Sequence, residues 1–145
     1  MELENVLSQN HMRNYLKEIC VDCTRHYQIN LQTSDKYKKG WKIFSIINGV
    51  SDVANAYFVG DALFSEYIPK EFAIGYTIFN GLVTQAPRLF RFEEGAEKFS
   101  IKTDEYFELL TDIKKELVNQ TIQKNNYDNI VNTYKKIKKV SSQDV

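Results

Sequence analysis

IFSIINGVSDVANAYFVG, residues 43–60, is the stretch on which the fold turns. It is apolar enough to suggest a membrane helix, yet it carries Asn48, Asp52 and Asn55. The polar residues are not scattered. Ser45, Asn48, Asp52 and Asn55 follow one another at spacings of three, four and three, and at about 100° per residue they share one face of a helix. Ile43, Ile46, Ile47, Val50, Val53, Ala54, Tyr57 and Phe58 cover most of the remaining circumference.

A second apolar segment, EFAIGYTIFNGLVTQAPRLFR at 71–91, repeats the pattern. Thr77, Asn80, Thr84, Arg88 and Arg91 form its polar stripe, with Ile74, Ile78, Leu82, Val83 and Leu89 largely elsewhere. If the two segments form an antiparallel hairpin turning near residue 66, Asp52 lies level with Asn80, Asn48 with Thr84, and Ser45 with Arg88. Ser45, Asn48, Asp52, Asn55, Asn80, Thr84 and Arg88 are therefore the predicted interhelical polar contacts. In lipid, polar side chains turn toward other helices in this way. The same stripes also fit the solvated faces of amphipathic helices in a soluble bundle, and periodicity alone leaves both readings open.

Charge placement favours the membrane reading. Lys36, Lys38, Lys39 and Lys42 precede the first segment, and Arg88 and Arg91 close the second. The connecting turn holds Asp61, Glu66, Lys70 and Glu71. This is the asymmetry of a hairpin with both ends on the cytoplasmic or virion-interior side. Lys36, Lys38, Lys39, Lys42 and Arg91 are the predicted membrane-surface cations. Trp41, Tyr67 and Phe92 stand where an aromatic belt would place them. Each segment has about 20 residues, the length that crosses a hydrocarbon core of about 30 Å.

The rest of the chain supports an all-α fold of long helices around this central hairpin. Only two prolines and six glycines occur in 145 residues, so helix breakers are scarce, and no run of period-two alternation bounded by turns stands out. The length suits a single helical domain spanning 1–145. Residues 3–32 read as a polar helix with Leu3, Leu7, Tyr15, Ile19, Cys23 and Tyr27 along one line. DKYKKGWK at 35–42 is a basic, aromatic junction in which Gly40 is a soft spot before the apolar segment 41–64. The C-terminal region, 93–140, begins with a helix over 93–123 that carries Phe99, Tyr106, Leu110, Ile113 and Leu117 on one side. Asn125 and Asn126 interrupt it, and Tyr127, Ile130, Val131, Tyr134 and Ile137 resume the stripe. SSQDV at the end reads as a frayed tail.

Composition narrows the function classes. Net charge is zero, so no global field draws nucleic acid to the chain, and no specific nucleic-acid partner is expected. Mean hydropathy is −0.43, which excludes a chain embedded in lipid for most of its length but not one apolar hairpin. The N-terminus has no secretory h-region. The two cysteines, Cys20 and Cys23, are neighbours and do not form a disulfide framework. Arg is rare while Asn, Lys and Ile are abundant, the bias of an AT-rich genome.

Catalytic motifs are absent. No phosphate-cradling glycine loop, nucleophile elbow or H-E-x-x-H occurs. CVDCTRH offers Cys20, Cys23 and His26, but the second half of a zinc site is missing. Glu93–Glu94 and Asp104–Glu105 are sequence neighbours and do not face each other on a helix. The reading is of a non-enzyme without metal or cofactor. The Lys135–Lys139 cluster reads as a solvated or lipid-facing basic end.

The order of features carries a resemblance. TRHYQINLQTSDKYKKGWKIFSIINGV, followed after the second apolar segment by RLFRFEEGAEKFSIKTDEYFELLTDIKKEL, resembles the two-transmembrane SLATT family (SMODS- and SLOG-associating effector domains) and its relatives in large DNA viruses. The likeness covers roughly residues 24–123. It implies an oligomeric helical membrane domain. The resemblance implies the role proposed for bacterial members, pore-forming effectors beside nucleotide-sensing partners, or for viral members an inner-membrane or minor capsid role. Asp52 departs from a strongly apolar first span. The expectation is thus a membrane-associated anchor, scaffold or self-associating pore in a host or viral membrane. Its partners are lipid, further copies of itself or other structural proteins. The alternative is a soluble, cytoplasmic helical-bundle adaptor that binds other proteins.

Overall fold

A computed structural model describes residues 2–64 and 67–142, without the side chains of 2, 3, 5, 64, 141 and 142. The predicted turn at residue 66, the end of the SSQDV tail and the Leu3 side chain lie outside what is described. The protein is all-α, with four helices: α1 (Glu2–Phe64), α2 (Lys70–Leu89), α3 (Phe92–Val118) and α4 (Lys124–Ser142). The chain forms two compact units, one from residues 1–32 and 99–145 and the other from residues 33–98.

The first unit follows ordinary hydrophobic logic. Leu16, Ile19 and Cys23 of α1 pack with Tyr106, Leu109, Leu110 and Ile113 of α3 and Ile130 and Ile137 of α4. Ile122, in the α3–α4 connection, completes the cluster. The predicted stripes of α3 and α4 point into it, with Leu117, Tyr127, Val131 and Tyr134 partly buried at its margin. The N-terminal line is corrected at one place, because Leu7 is exposed while Leu16 is fully buried.

The break after α3 falls at residues 119–123, ahead of Asn125 and Asn126, which belong to α4. Side chains distant in sequence decide this. Arg13 of α1 donates to the carbonyls of Leu117 (2.9 Å), Asn119 (2.8 Å) and Gln120 (3.2 Å). It thereby satisfies acceptors that a helix end leaves free, with a cation placed favourably for the helix dipole. The Gln9 amide clasps Ile122 from both sides, donating to its carbonyl at 3.2 Å and accepting from its N–H at 2.9 Å. The buried Glu116 carboxylate accepts from the Gln123 N–H at 2.7 Å and the Asn126 amide at 3.0 Å, holding the start of α4.

In the second unit, the expected break at Gly40 does not occur, and α1 runs through it without interruption. Gly40 lies against the Phe92 ring, where an added Cβ would come within 2.7 Å of it. Gly95 gives the same clearance to Tyr37, at 2.6 Å. These glycines serve close packing in the helix interior. The Ser34 hydroxyl adds a hydrogen bond to the Ala96 carbonyl at 3.1 Å. α2 gives way to α3 at Arg91, which adopts φ 48, the left-handed conformation of a tight reversal.

The expectation of membrane-crossing helices over 41–64 and 71–91 is corrected. Among the described residues, no helix is long and apolar enough to cross a membrane. Lys42, Asn48, Asp52, Asn55 and Asp61 dilute the first segment, and Asn80, Gln85 and Arg88 the second.

Candidate functional site

The second unit is packed the opposite way from the first. Its buried side chains are small or polar: Ser34, Ser51, Ala62, Ala73 and Asn80, with Pro87. Many of its large apolar side chains are exposed, while Phe44, Phe58, Val83 and Phe92 are half-buried. Ile43, Ile46, Val50, Val53 and Tyr57 of α1 are exposed, Val53 at 73%, and so are Phe72, Ile74, Ile78, Leu82 and Leu89 of α2, Leu89 at 78%. Full burial of one such side chain is worth roughly 1.5–3 kcal/mol. Their sum is therefore large beside the ~5–15 kcal/mol net stability of a typical domain. Large apolar patches on a protein surface are typical of interaction sites, which makes these side chains the candidate contact face.

A polar seam joins α1 to α2. The Asn80 amide donates to the Asp52 carboxylate at 2.9 Å, and the Thr77 hydroxyl donates to the Asn55 side-chain oxygen at 2.9 Å. Ser51 and Tyr76 share a hydrogen bond at 3.3 Å. The Asp52–Asn80 pair is one of the three that the stripes place level with each other. Asn48 contributes differently, because its side-chain oxygen is buried without a hydrogen-bond partner, as is that of Asn80. Thr84 turns its hydroxyl back to its own helix, donating to the Asn80 carbonyl at 2.9 Å. Ser45 and Arg88 are exposed. The Ser51–Tyr76 contact is absent from the predicted set, although Ser51 lies three residues after Asn48 and so falls on the same face.

Aromatic rings flank the seam at both ends. Phe44 lies 5.3 Å from Phe92 and 6.0 Å from Phe90, and Tyr37 meets Phe92 edge-on. Toward the other end, Phe58 makes edge-to-face contacts with Phe72 at 5.3 Å and Tyr76 at 4.8 Å. Lys36, Lys38, Lys39, Lys42, Arg88 and Arg91 are all exposed, and the Arg91 guanidinium sits 3.8 Å from Glu94.

In the first unit, Asp22, Tyr134 and Lys138 form a contacting group of titrating side chains. The Tyr134 hydroxyl donates to Asp22 at 2.5 Å, and the Lys138 ammonium lies 2.9 Å from the Tyr134 oxygen and 3.4 Å from Asp22. The Tyr134 hydrogen bond holds the Asp22 carboxyl below its ordinary 3.8, against an opposing push from burial, with Lys138 helping to lower it. Burial, then the bond to Asp22, raises Tyr134 above 10.0. The bonds to Tyr134 and Asp22 raise Lys138 above 10.5. His26 stacks on Tyr106 with ring centroids 5.4 Å apart. Burial pushes the neighbouring Cys23 thiol up to about 12, so it stays protonated and poorly nucleophilic near neutrality. Cys20 and Cys23 are free thiols, and among the described residues no group of three or more His, Cys, Asp or Glu side chains could hold a metal. A cavity of about 410 Å³ between α3 and α4 is lined by Asp112, Glu116, Asn119 and Asn126. Its buried carboxylate, Glu116, is already committed to holding the helix connection.

No family model, curated protein or solved structure matches the chain.

Two predictions follow from these contacts. A double-mutant cycle between Asp52→Ala and Asn80→Ala gives a coupling of about 0.5–1.5 kcal/mol, measured by chemical denaturation of the full chain, because each change strips the other side chain of its partner. In the first unit, Asp22 has a lowered folded pKa, so its contribution is present above pH 3.8 and is lost as pH falls toward the folded value. Tyr134 has a raised one, so its contribution is present below pH 10.0 and is lost as pH rises through the folded value. Tyr134→Phe removes the Tyr134 contribution and the largest of the interactions that lower Asp22, leaving Lys138 beside the carboxylate. Melting temperature against pH becomes flatter below about pH 4 and above about pH 10, with roughly 1 kcal/mol lost at neutrality.

Proposed function

We propose that the protein is a non-enzymatic, membrane-associated helical scaffold. Segments 41–64 and 71–91 form an antiparallel hairpin whose outer face seats in lipid, and self-association there builds an anchor or pore-type assembly. One observation carries this reading: the residues buried between the two helices include Ser51, Ala73 and Asn80, while Ile43, Ile46, Val50, Val53, Ile74, Ile78 and Leu82 stay exposed. Helices that meet in lipid gain nothing from hiding Ile or Leu from hydrocarbon. They meet instead through small residues and interhelical hydrogen bonds. Ser51, Ala73 and the Asp52–Asn80 pair have that character. An amphipathic surface can seat in the interfacial layer without crossing the bilayer, so the reading does not require either helix to span. The resemblance to the SLATT family points the same way, and the inert Cys23 thiol agrees with a structural role.

A competing reading is an adaptor whose apolar face is covered by another protein. It draws on the observation that no described helix is long and apolar enough to cross a membrane. Membrane partition separates the two. After expression and high-salt and carbonate washes, the scaffold stays in the pellet and is released by detergent. Release by the washes alone would overturn the membrane reading in favour of the adaptor.

A further inference from the structure

The outer face of α1 does not end where its apolar residues end. Lys36, Lys39 and Lys42 continue, one turn after another, along the side of the helix that then carries Ile43, Ile46, Val50 and Val53, since residues three, four and seven apart share a face. All three lysines are exposed, and Lys38 stands beside them. The inner side of the same turns is taken by Tyr37, Gly40 and Phe44, packed against Phe92 and Gly95. The lysines are therefore held outward by packing behind them.

We infer that Lys36, Lys39 and Lys42 form a collar that recognises the anionic headgroups of a phospholipid bilayer while the adjoining apolar face enters the same leaflet. The inference rests on the membrane reading above and adds the lipid class and the end of the hairpin that meets the headgroups.

Charge complementarity selects this occupant. Lysine stems lie along apolar surface while their ammonium groups reach the polar layer, and such groups are drawn to anionic lipid. Asp35 is the one acidic residue among positions 33–44. Glu93, Glu94 and Glu97 lie on the first turns of α3, where Glu94 pairs with Arg91, so Arg91 is left out of the collar. The far end of the apolar face has the opposite character. There Asp61 accepts a hydrogen bond from the Ile68 N–H at 3.0 Å, and Glu71 accompanies Lys70. Trp41, the chain's one tryptophan, lies in the same turns of α1 as the collar but on another side of the helix, four residues from Tyr37 and three from Phe44, and is 41% exposed. An amphipathic ring in that position is suited to the headgroup boundary.

The test is flotation of the full-length protein with phosphatidylcholine vesicles, with and without phosphatidylglycerol, read together with Trp41 fluorescence. The wild type partitions preferentially to the anionic vesicles, and Trp41 emission shifts to the blue. Each collar charge contributes roughly fivefold to partition. The Lys36→Gln/Lys39→Gln/Lys42→Gln protein therefore binds anionic vesicles about a hundredfold more weakly and keeps its residual binding to phosphatidylcholine. The charge-matched Lys17→Gln/Lys114→Gln/Lys124→Gln protein, altered in the other unit, binds like wild type. Equal binding to both vesicle types, or equal losses in the two triple variants, overturns the collar and leaves the membrane reading standing. Binding to neither vesicle overturns both.

Discussion

The polar seam between α1 and α2 is the constraint from which the character of the second unit follows. Once Asp52 accepts from Asn80 and Thr77 donates to Asn55, the rotation of each helix about its axis is fixed. A helix has one circumference to share. If the seam faces inward, Ile43, Ile46, Val50 and Val53 on one helix and Ile74, Ile78 and Leu82 on the other must face outward. Rotating the apolar residues inward would set them against one another and leave the seam residues to solvent, the arrangement of an ordinary water-facing pair. The chain instead joins the two helices through part-buried and exposed hydrogen bonds, which fix geometry, and leaves these apolar side chains exposed.

The first unit shows that the same chain also folds in the usual way. Its core is apolar, and its polar side chains are spent on helix ends. Arg13 and Gln9 reach from α1 to the α3–α4 connection, and Glu116 holds the other side of it. This unit needs no external cover for its core. The contrast between the two units is one of burial: the first hides Leu16, Ile19, Tyr106, Ile113 and Ile130, and the second leaves Ile46, Val50, Val53, Ile78 and Leu82 exposed. The proposed scaffold draws on that difference.

Much of this was legible in the residues, for a local reason. Helical periodicity exposes which residues share a face, so the stripes through Asn48, Asp52 and Asn55 and through Thr77 and Asn80 could be read directly. The core positions Tyr106, Ile113, Ile130 and Ile137 followed from the same arithmetic. What could not be read depended on distant partners. The break at 119–123 is set by Arg13 and Gln9, more than a hundred residues away. The continuity of α1 through Gly40 is set by the Phe92 ring, so a glycine among lysines signalled close packing and not a hinge. Asn48 and Thr84, level in register, do not close the seam, because Thr84 satisfies its hydroxyl within its own turn.

The central claim is that the outward apolar face of residues 43–58 meets lipid while the seam does not. Nitroxide labels placed singly along this segment in vesicle-bound protein, with the native cysteines replaced by serine, measure it most directly. The account predicts that accessibility to molecular oxygen, which concentrates in lipid, peaks at 46, 50, 53 and 57 with helical period, while accessibility to a water-soluble nickel complex stays low at those positions. Nickel accessibility peaking at 46, 50, 53 and 57 would mean that water covers the apolar face, and would contradict the account.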